Sequence, residues 1–184
     1  MSLDRRLLLL SGSRLLLGGS LAAVAAACSR AVANAPAEHF EVTLTDAQWR
    51  AKLSPQAYAV LRHEGTERPF SSPLNDEHRA GTFQCAGCEL ALFSSSTKFE
   101  SHTGWPSFWQ PLPNAVGERR DDTLGMARTE VHCRRCGGHL GHVFDDGPRP
   151  NGLRYCMNSA SLAFEPRAEG GSAGHAGAST EPGA

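Results

Sequence analysis

The chain has 184 residues, of which 40% are hydrophobic and 20% charged, and its formal net charge is -1. That length holds one globular domain plus extensions, and the composition is that of an ordinary water-soluble protein. The near-balanced charge excludes a surface built to recruit nucleic-acid phosphate, so no nucleic-acid partner is expected.

The first 35 residues read as an export signal. Arg5 and Arg6 precede an apolar stretch from Leu7 to Ala27, and the small residues Ala31-Val32-Ala33 follow with Asn34-Ala35, giving a positive start, an apolar middle and an A-x-A cleavage site. The paired arginines directly before leucines, and an apolar segment interrupted by Arg14 and several glycines, suit twin-arginine export. A membrane anchor is disfavoured because Arg14 would cost about 2.5–3.5 kcal/mol near a bilayer centre. Residues 1–33 carry four arginines against Asp4, so their removal leaves the remainder at -4. Cys28 follows a run of alanines and offers an alternative, a lipid anchor through that cysteine. Soluble export, to a periplasmic location, is the expectation.

Residues 40–66 read as helical. Thr45 is placed to cap a segment containing Trp49 and Leu53, and Ser54-Pro55 sets a cap before a proline at the first helical position. Tyr58 and Leu61 continue the pattern, which ends near Gly65. Trp49 falls on the apolar side of this pattern, as a core anchor would.

From Gly81 onward short β-prone runs alternate with turn formers: 82–84, 91–93, 127–132, 142–144, 153–156 and 161–164. The stretches 105–106, 111–117 and 145–152, rich in Pro, Gly and Asp, read as loops. The expected fold is mainly β, an antiparallel core of two small barrel-like sheets behind short N-terminal helices. From Ala168 to Ala184 the chain is Gly, Ala and Ser with scattered charge, too poor in large apolar residues to offset its ordering entropy; it reads as a disordered tail.

Two C-x-x-C pairs, Cys85/Cys88 and Cys133/Cys136, are separated by 44 residues, and each follows a β-prone run. Two such knuckles can direct four thiolates to the corners of a tetrahedron, a structural zinc site with no position left open for water. A redox C-x-x-C, or two disulfides formed after export, remain alternatives. Shared metal is favoured because the same template occurs twice.

The segments Gly104-Trp105-Pro106-Ser107-Phe108, His139-Leu140-Gly141-His142-Val143-Phe144-Asp145-Asp146-Gly147-Pro148 and Gly152-Leu153-Arg154-Tyr155-Cys156-Met157-Asn158-Ser159-Ala160-Ser161-Leu162 resemble the methionine-R-sulfoxide reductase B family. The resemblance runs from about Trp49 to Pro166, so residues 40–166 are expected to form one reductase domain. It implies that Cys156, His139, His142, Asn158 and Trp105 form the active site, and that oxidised proteins carrying methionine-R-sulfoxide are the substrates.

The residues also argue the chemistry directly. Sulfoxide reduction needs a soft nucleophile to attack sulfur and an acid for the departing oxygen. Outside the paired set and the signal, Cys156 is the remaining cysteine. Arg154 beside it is expected to lower its pKa, and Asp145 is expected to pair with Arg154. Of His139 and His142, one can supply the proton while the other holds water or the thiolate, and Trp105 can pack against the substrate methyl. Many members of the family carry a resolving cysteine where this chain has Thr103, and a glycine where it has His102. Reduction by a thioredoxin-like protein or a small thiol is therefore expected, with the enzyme acting as a monomer. Two rival readings are a zinc-ribbon binding module without chemistry and a thiol–disulfide oxidoreductase using one C-x-x-C.

Overall fold

The computed structural model describes residues 38–168. The expected export signal with Cys28, and the tail beyond 168, lie outside the described residues. Helix α1 (Asp46–Lys52) starts as its sequence predicts. Thr45 accepts a hydrogen bond from the Gln48 backbone N–H while the Gln48 side chain accepts from that of Thr45, a capping box. Helix α2 (Pro55–His63) is capped by Ser54, begins on Pro55, and stops where Glu64 turns left-handed at φ 54°. Trp49 is buried in the core, as expected. Among the described residues no helix is long and apolar enough to cross a membrane.

The strands are β1 (Gly81–Cys85), β2 (Ala91–Ser94), β3 (Lys98–Phe99), β4 (Ser107–Phe108), β5 (Val116–Asp121), β6 (Arg128–Cys133), β7 (His139–Phe144), β8 (Arg154–Met157) and β9 (Leu162–Pro166). They form a three-stranded sheet, β2-β1-β9, and a six-stranded sheet, β3-β4-β8-β7-β6-β5. Every described pairing is antiparallel. The mainly β architecture is as expected, but the barrel-like closure is not found: each sheet keeps two open edges. Strand β5 is one of them, and the stretch 111–117 expected to be loop runs into it at Val116. Its sequence Val-Gly-Glu-Arg-Arg-Asp shows no apolar alternation, because a rim strand is tolerated with charge on it and is protected by that charge.

Side-chain parity in the long sheet divides core from site. Partners run straight across it: Arg119 opposite Glu130, Glu130 opposite His142, His142 opposite Cys156, Cys156 opposite Ser107, and Ser107 opposite Phe99. One residue along, the alternate face carries Phe108 opposite Tyr155 and Tyr155 opposite Val143. This second face meets the small sheet through an aromatic cluster. Phe108 stacks on Phe93 at 4.3 Å and meets the edge of Phe83 at 4.9 Å, and all three rings are fully buried. Aromatic pairs in such geometry add about 1 kcal/mol each beyond the area they bury. A one-residue slip would exchange the two faces, so packing of the phenylalanines also holds the polar row in register.

Candidate active site

Cys156 is partly buried on β8, and Trp105, His142 and Asn158 join it around a cavity of about 140 Å³. Thr66, Arg128, Gly141 and Phe144 complete the lining. Four of the five expected site residues therefore meet. The fifth, His139, is buried behind them and lines an adjoining polar cavity, its ring 5.4 Å from that of His142.

Both histidines are held by carboxylates. His142 Nε2 lies 2.8 Å from Asp121 Oδ2, and Asp121 also accepts from Arg128 at 2.6 Å. His139 Nδ1 lies 2.7 Å from Glu130 Oε1, and Glu130 is in turn paired with Arg119. Hydrogen bonds from Thr123, followed by that of His142, hold the Asp121 carboxyl well below the usual range. Burial lowers the His142 pKa below its ordinary value, although Asp121 opposes the shift.

Cys156 differs from its expectation. Burial pushes its thiol above the ordinary value, outweighing Thr103, Arg154 and Ser107, each of which favours the thiolate. Arg154 favours the thiolate by its charge and by a hydrogen bond, but its guanidinium is shared with other partners. It forms a two-pronged pair with Asp146, at 2.7 and 2.9 Å, and lies over the Phe144 ring at 4.3 Å. The expected partner, Asp145, is thus replaced by its neighbour. Phe144 stands opposite Arg154 in the ladder, and Asp146, past the strand end, is the carboxylate that meets the guanidinium.

Asn158 and Trp105 depend on a residue with no local sequence signal, Glu67. Its backbone N–H donates to Asn158 Oδ1 at 3.1 Å, and its carbonyl accepts from Trp105 Nε1 at 3.3 Å. Its buried carboxylate accepts from the backbone N–H groups of Ser159 and Ala160 at 2.5 and 2.9 Å, the start of the short 3-10 turn Ser159–Ser161. Asn158 Nδ2 donates to the Leu140 carbonyl at 3.1 Å. Glu67→Ala is expected to cost about 2 kcal/mol, since it leaves one buried and one partly buried donor without their charged acceptor. Chemical unfolding would measure it, and an unchanged midpoint would contradict the bonding described.

The four paired cysteines converge from the two sheets. Cys85 ends β1 and Cys133 ends β6. Their Sγ atoms and those of Cys88 and Cys136 all lie within 4.8 Å of one another, arranged to hold a metal ion. The knuckles share a design: Glu89 and Gly137, each following a second cysteine, are left-handed at φ 62° and 66°, and their N–H groups return to the carbonyls of Cys85 and Cys133 at 2.8 Å. Arg62 donates to the Cys136 carbonyl and Arg135 to that of Cys88. Four thiolates this close repel one another, so a cation is what allows all four to ionise, and its binding releases their protons.

The sequence is matched by the SelR domain model over residues 53–166. It is 60% identical over 124 residues to a peptide methionine sulfoxide reductase MsrB of Thiobacillus denitrificans, covering 67% of this chain and 94% of the relative. A protein of the same name from Bradyrhizobium diazoefficiens is 58% identical over 128 residues, covering 69% and 92%. A third, from Leptospira interrogans, is 52% identical over 128 residues, covering 69% and 98%. The domain match, the near-complete coverage of these relatives and the register that brings Cys156, His142, Asn158 and Trp105 to one cavity agree: the chain belongs to the SelR family of MsrB methionine sulfoxide reductases.

Proposed function

We propose that Cys156 is the atom at which this peptide methionine sulfoxide reductase takes oxygen from its substrate, the R epimer of methionine sulfoxide in oxidised proteins. The observation that carries the reading is the direct opposition of His142 and Cys156 across β7 and β8, with one small cavity in front of both. The cavity, of about 140 Å³, has room for a methylsulfinyl end. Trp105 packs against the methyl and excludes water, and Asn158 orients the substrate. The Cys156 sulfur attacks the sulfoxide sulfur while His142 delivers a proton to its oxygen. The resulting S–S-bonded intermediate collapses as its hydroxyl passes from the methionine sulfur to Cys156 Sγ. The old S–O bond and the new S–S bond both break, methionine leaves as the thioether, and Cys156, now a sulfenic acid, has lost the two electrons that the substrate gained. His139, tied to Glu130, packs behind His142, the two ring centroids 5.4 Å apart.

Thr103 occupies the position where relatives with a resolving cysteine carry it, and its Oγ1 lies 3.8 Å from Cys156 Sγ. The sulfenic acid is therefore returned to the thiol by an external reductant, a thioredoxin-like protein or a small thiol. His102 before it is left-handed, at φ 58°, which accounts for the glycine common there in the family. The metal is zinc. Four soft sulfur donors form a closed set, and Cys88–Cys133 and Cys85–Cys136 separations of 3.5 and 3.7 Å approach the edge of about 3.8 Å in a tetrahedron with Zn–S near 2.3 Å. Zinc bound there ties the two sheets together. The protein works as an exported monomer, its paired arginines supporting the twin-arginine route.

The two shifted groups set the pH dependence. Burial raises Cys156 and lowers His142, so the inner limits of the profile move apart. kcat/KM is expected to follow a broad bell, its acid limb below the ordinary imidazole range and its alkaline limb above the ordinary thiol range. The reactive form, Cys156 thiolate with protonated His142, is a minor species between these limits and is depleted outside them. Steady-state rates on a methionine-R-sulfoxide peptide across pH test this. A rate that climbs to a high-pH plateau with no alkaline limb would remove His142 from the reaction.

A further inference from the structure

A chain of hydroxyl groups runs from the catalytic sulfur into the sheet. Cys156 Sγ lies 3.8 Å from Thr103 Oγ1, Thr103 Oγ1 lies 2.8 Å from Ser101 Oγ, and Ser101 Oγ lies 2.7 Å from Ser107 Oγ. Ser107 Oγ is 3.1 Å from the Trp105 carbonyl. Ser107 is fully buried and stands directly opposite Cys156 in the ladder. The proposed mechanism uses none of these three hydroxyls.

The ends of the chain decide its polarity. A carbonyl only accepts, so with a neutral thiol Ser107 donates to Trp105, Ser101 to Ser107, Thr103 to Ser101, and the thiol to Thr103. When the sulfur becomes a thiolate it only accepts, and every hydroxyl can turn: Thr103 donates to sulfur, Ser101 to Thr103, and Ser107 to Ser101. The change releases the Ser107–Trp105 bond, the longest oxygen–oxygen link in the chain, and keeps the others. Charge-assisted bonds are roughly twice as strong as neutral ones, and members of a chain polarise one another.

We propose that Thr103, Ser101 and Ser107 are positioning residues that act as one reversible hydroxyl relay, stabilising first the Cys156 thiolate and then its sulfenic acid in an active site without a resolving cysteine. This rests on Cys156 being the nucleophile. The relay adds to Arg154 in offsetting a burial that otherwise favours the thiol. Other charged or titratable groups around Cys156 are His142 from β7, Arg128 with Asp121 from the β6–β5 edge, Arg154 of β8 with Asp146 past the end of β7, and exposed His102 beside Thr103. None of them is altered by exchanging a hydroxyl for a methyl.

The test is the pH dependence of iodoacetamide alkylation of the metal-loaded full chain, read on the Cys156 peptide by mass spectrometry. Thr103→Val is expected to slow alkylation near neutral pH about tenfold, as a rise of one unit in the thiol pKa would. Ser101→Ala, which never touches the sulfur, is expected to slow it about threefold through the chain. Both should reach the wild-type limiting rate at high pH, and Thr103→Ser should restore the profile. Dimedone trapping after substrate should show a shorter-lived sulfenic acid in Thr103→Val. Wild-type profiles in Thr103→Val, or an effect there with none in Ser101→Ala, would overturn the relay. So would a lowered limiting rate in place of a shifted profile. Alkylation does not depend on sulfoxide turnover, so reductase activity surviving in Cys156→Ser would sink the nucleophile assignment separately.

Discussion

Cys156→Ser is expected to abolish reduction of methionine-R-sulfoxide, with a loss of about 10⁴-fold or more, as when other enzymes lose a covalent nucleophile. Serine keeps the size and the hydrogen bond to Thr103 but replaces a polarisable sulfur with a hard oxygen. Its hydroxyl stays protonated at any pH the fold tolerates, so no nucleophile remains to attack the sulfoxide sulfur. The substitution sits at the cavity edge rather than in the aromatic core, so unfolding midpoint and metal content should match wild type. The assay uses each sulfoxide epimer separately: wild type should turn over R alone, and the variant neither. Activity on R in the variant would favour a different nucleophile, and turnover of S would contradict the assigned specificity.

Removing the metal should have the second large effect, on folding. Apparent binding energies of structural zinc are about 10–16 kcal/mol, comparable with the whole stability of a domain, about 5–15 kcal/mol. In this chain the consequence extends to the catalytic strand. One knuckle closes β1 of the small sheet and the other joins β6 to β7, whose first residue, His139, follows Gly138 directly. Leu61 of α2 lies against Gly87 of one knuckle and Gly138 of the other, so the helix loses its seat if the knuckles separate. Cys133→Ser, or chelation in mild denaturant, is expected to remove the cooperative unfolding transition and the activity together. Circular dichroism with metal analysis checks this. Metal-free protein that keeps the wild-type midpoint would contradict the staple, as would a reducible disulfide within either pair.

What the sequence made legible follows the range of the forces involved. Helix caps are local, so Thr45, Ser54 and the stop near Gly65 could be read from a few neighbours. The cysteine knuckles are local too, and their repetition pointed to a shared metal. The resemblance named Cys156, His142, Asn158 and Trp105, and the register brings those four to one cavity. Features set across the sheet were hidden. Strand β5 has no apolar alternation, so Asp121 gave no sign that it would reach His142, 21 residues later. Glu67 caps a turn 92 residues away, a distance at which no spacing rule operates. Neighbouring aspartates compete for Arg154, and the bend after β7 settled the choice on Asp146 instead of Asp145. The Cys156 shift went opposite to expectation because Arg154 could be read from sequence and burial could not.

The central claim is that Cys156 alone receives the substrate oxygen and has no internal partner. Mass spectrometry of the protein after stoichiometric methionine-R-sulfoxide, without reductant, tests it most directly. The account predicts the gain of one oxygen atom, or its dimedone adduct, on the Cys156 peptide, with Cys85, Cys88, Cys133 and Cys136 unmodified. A stoichiometric intramolecular disulfide that includes Cys156 would contradict it.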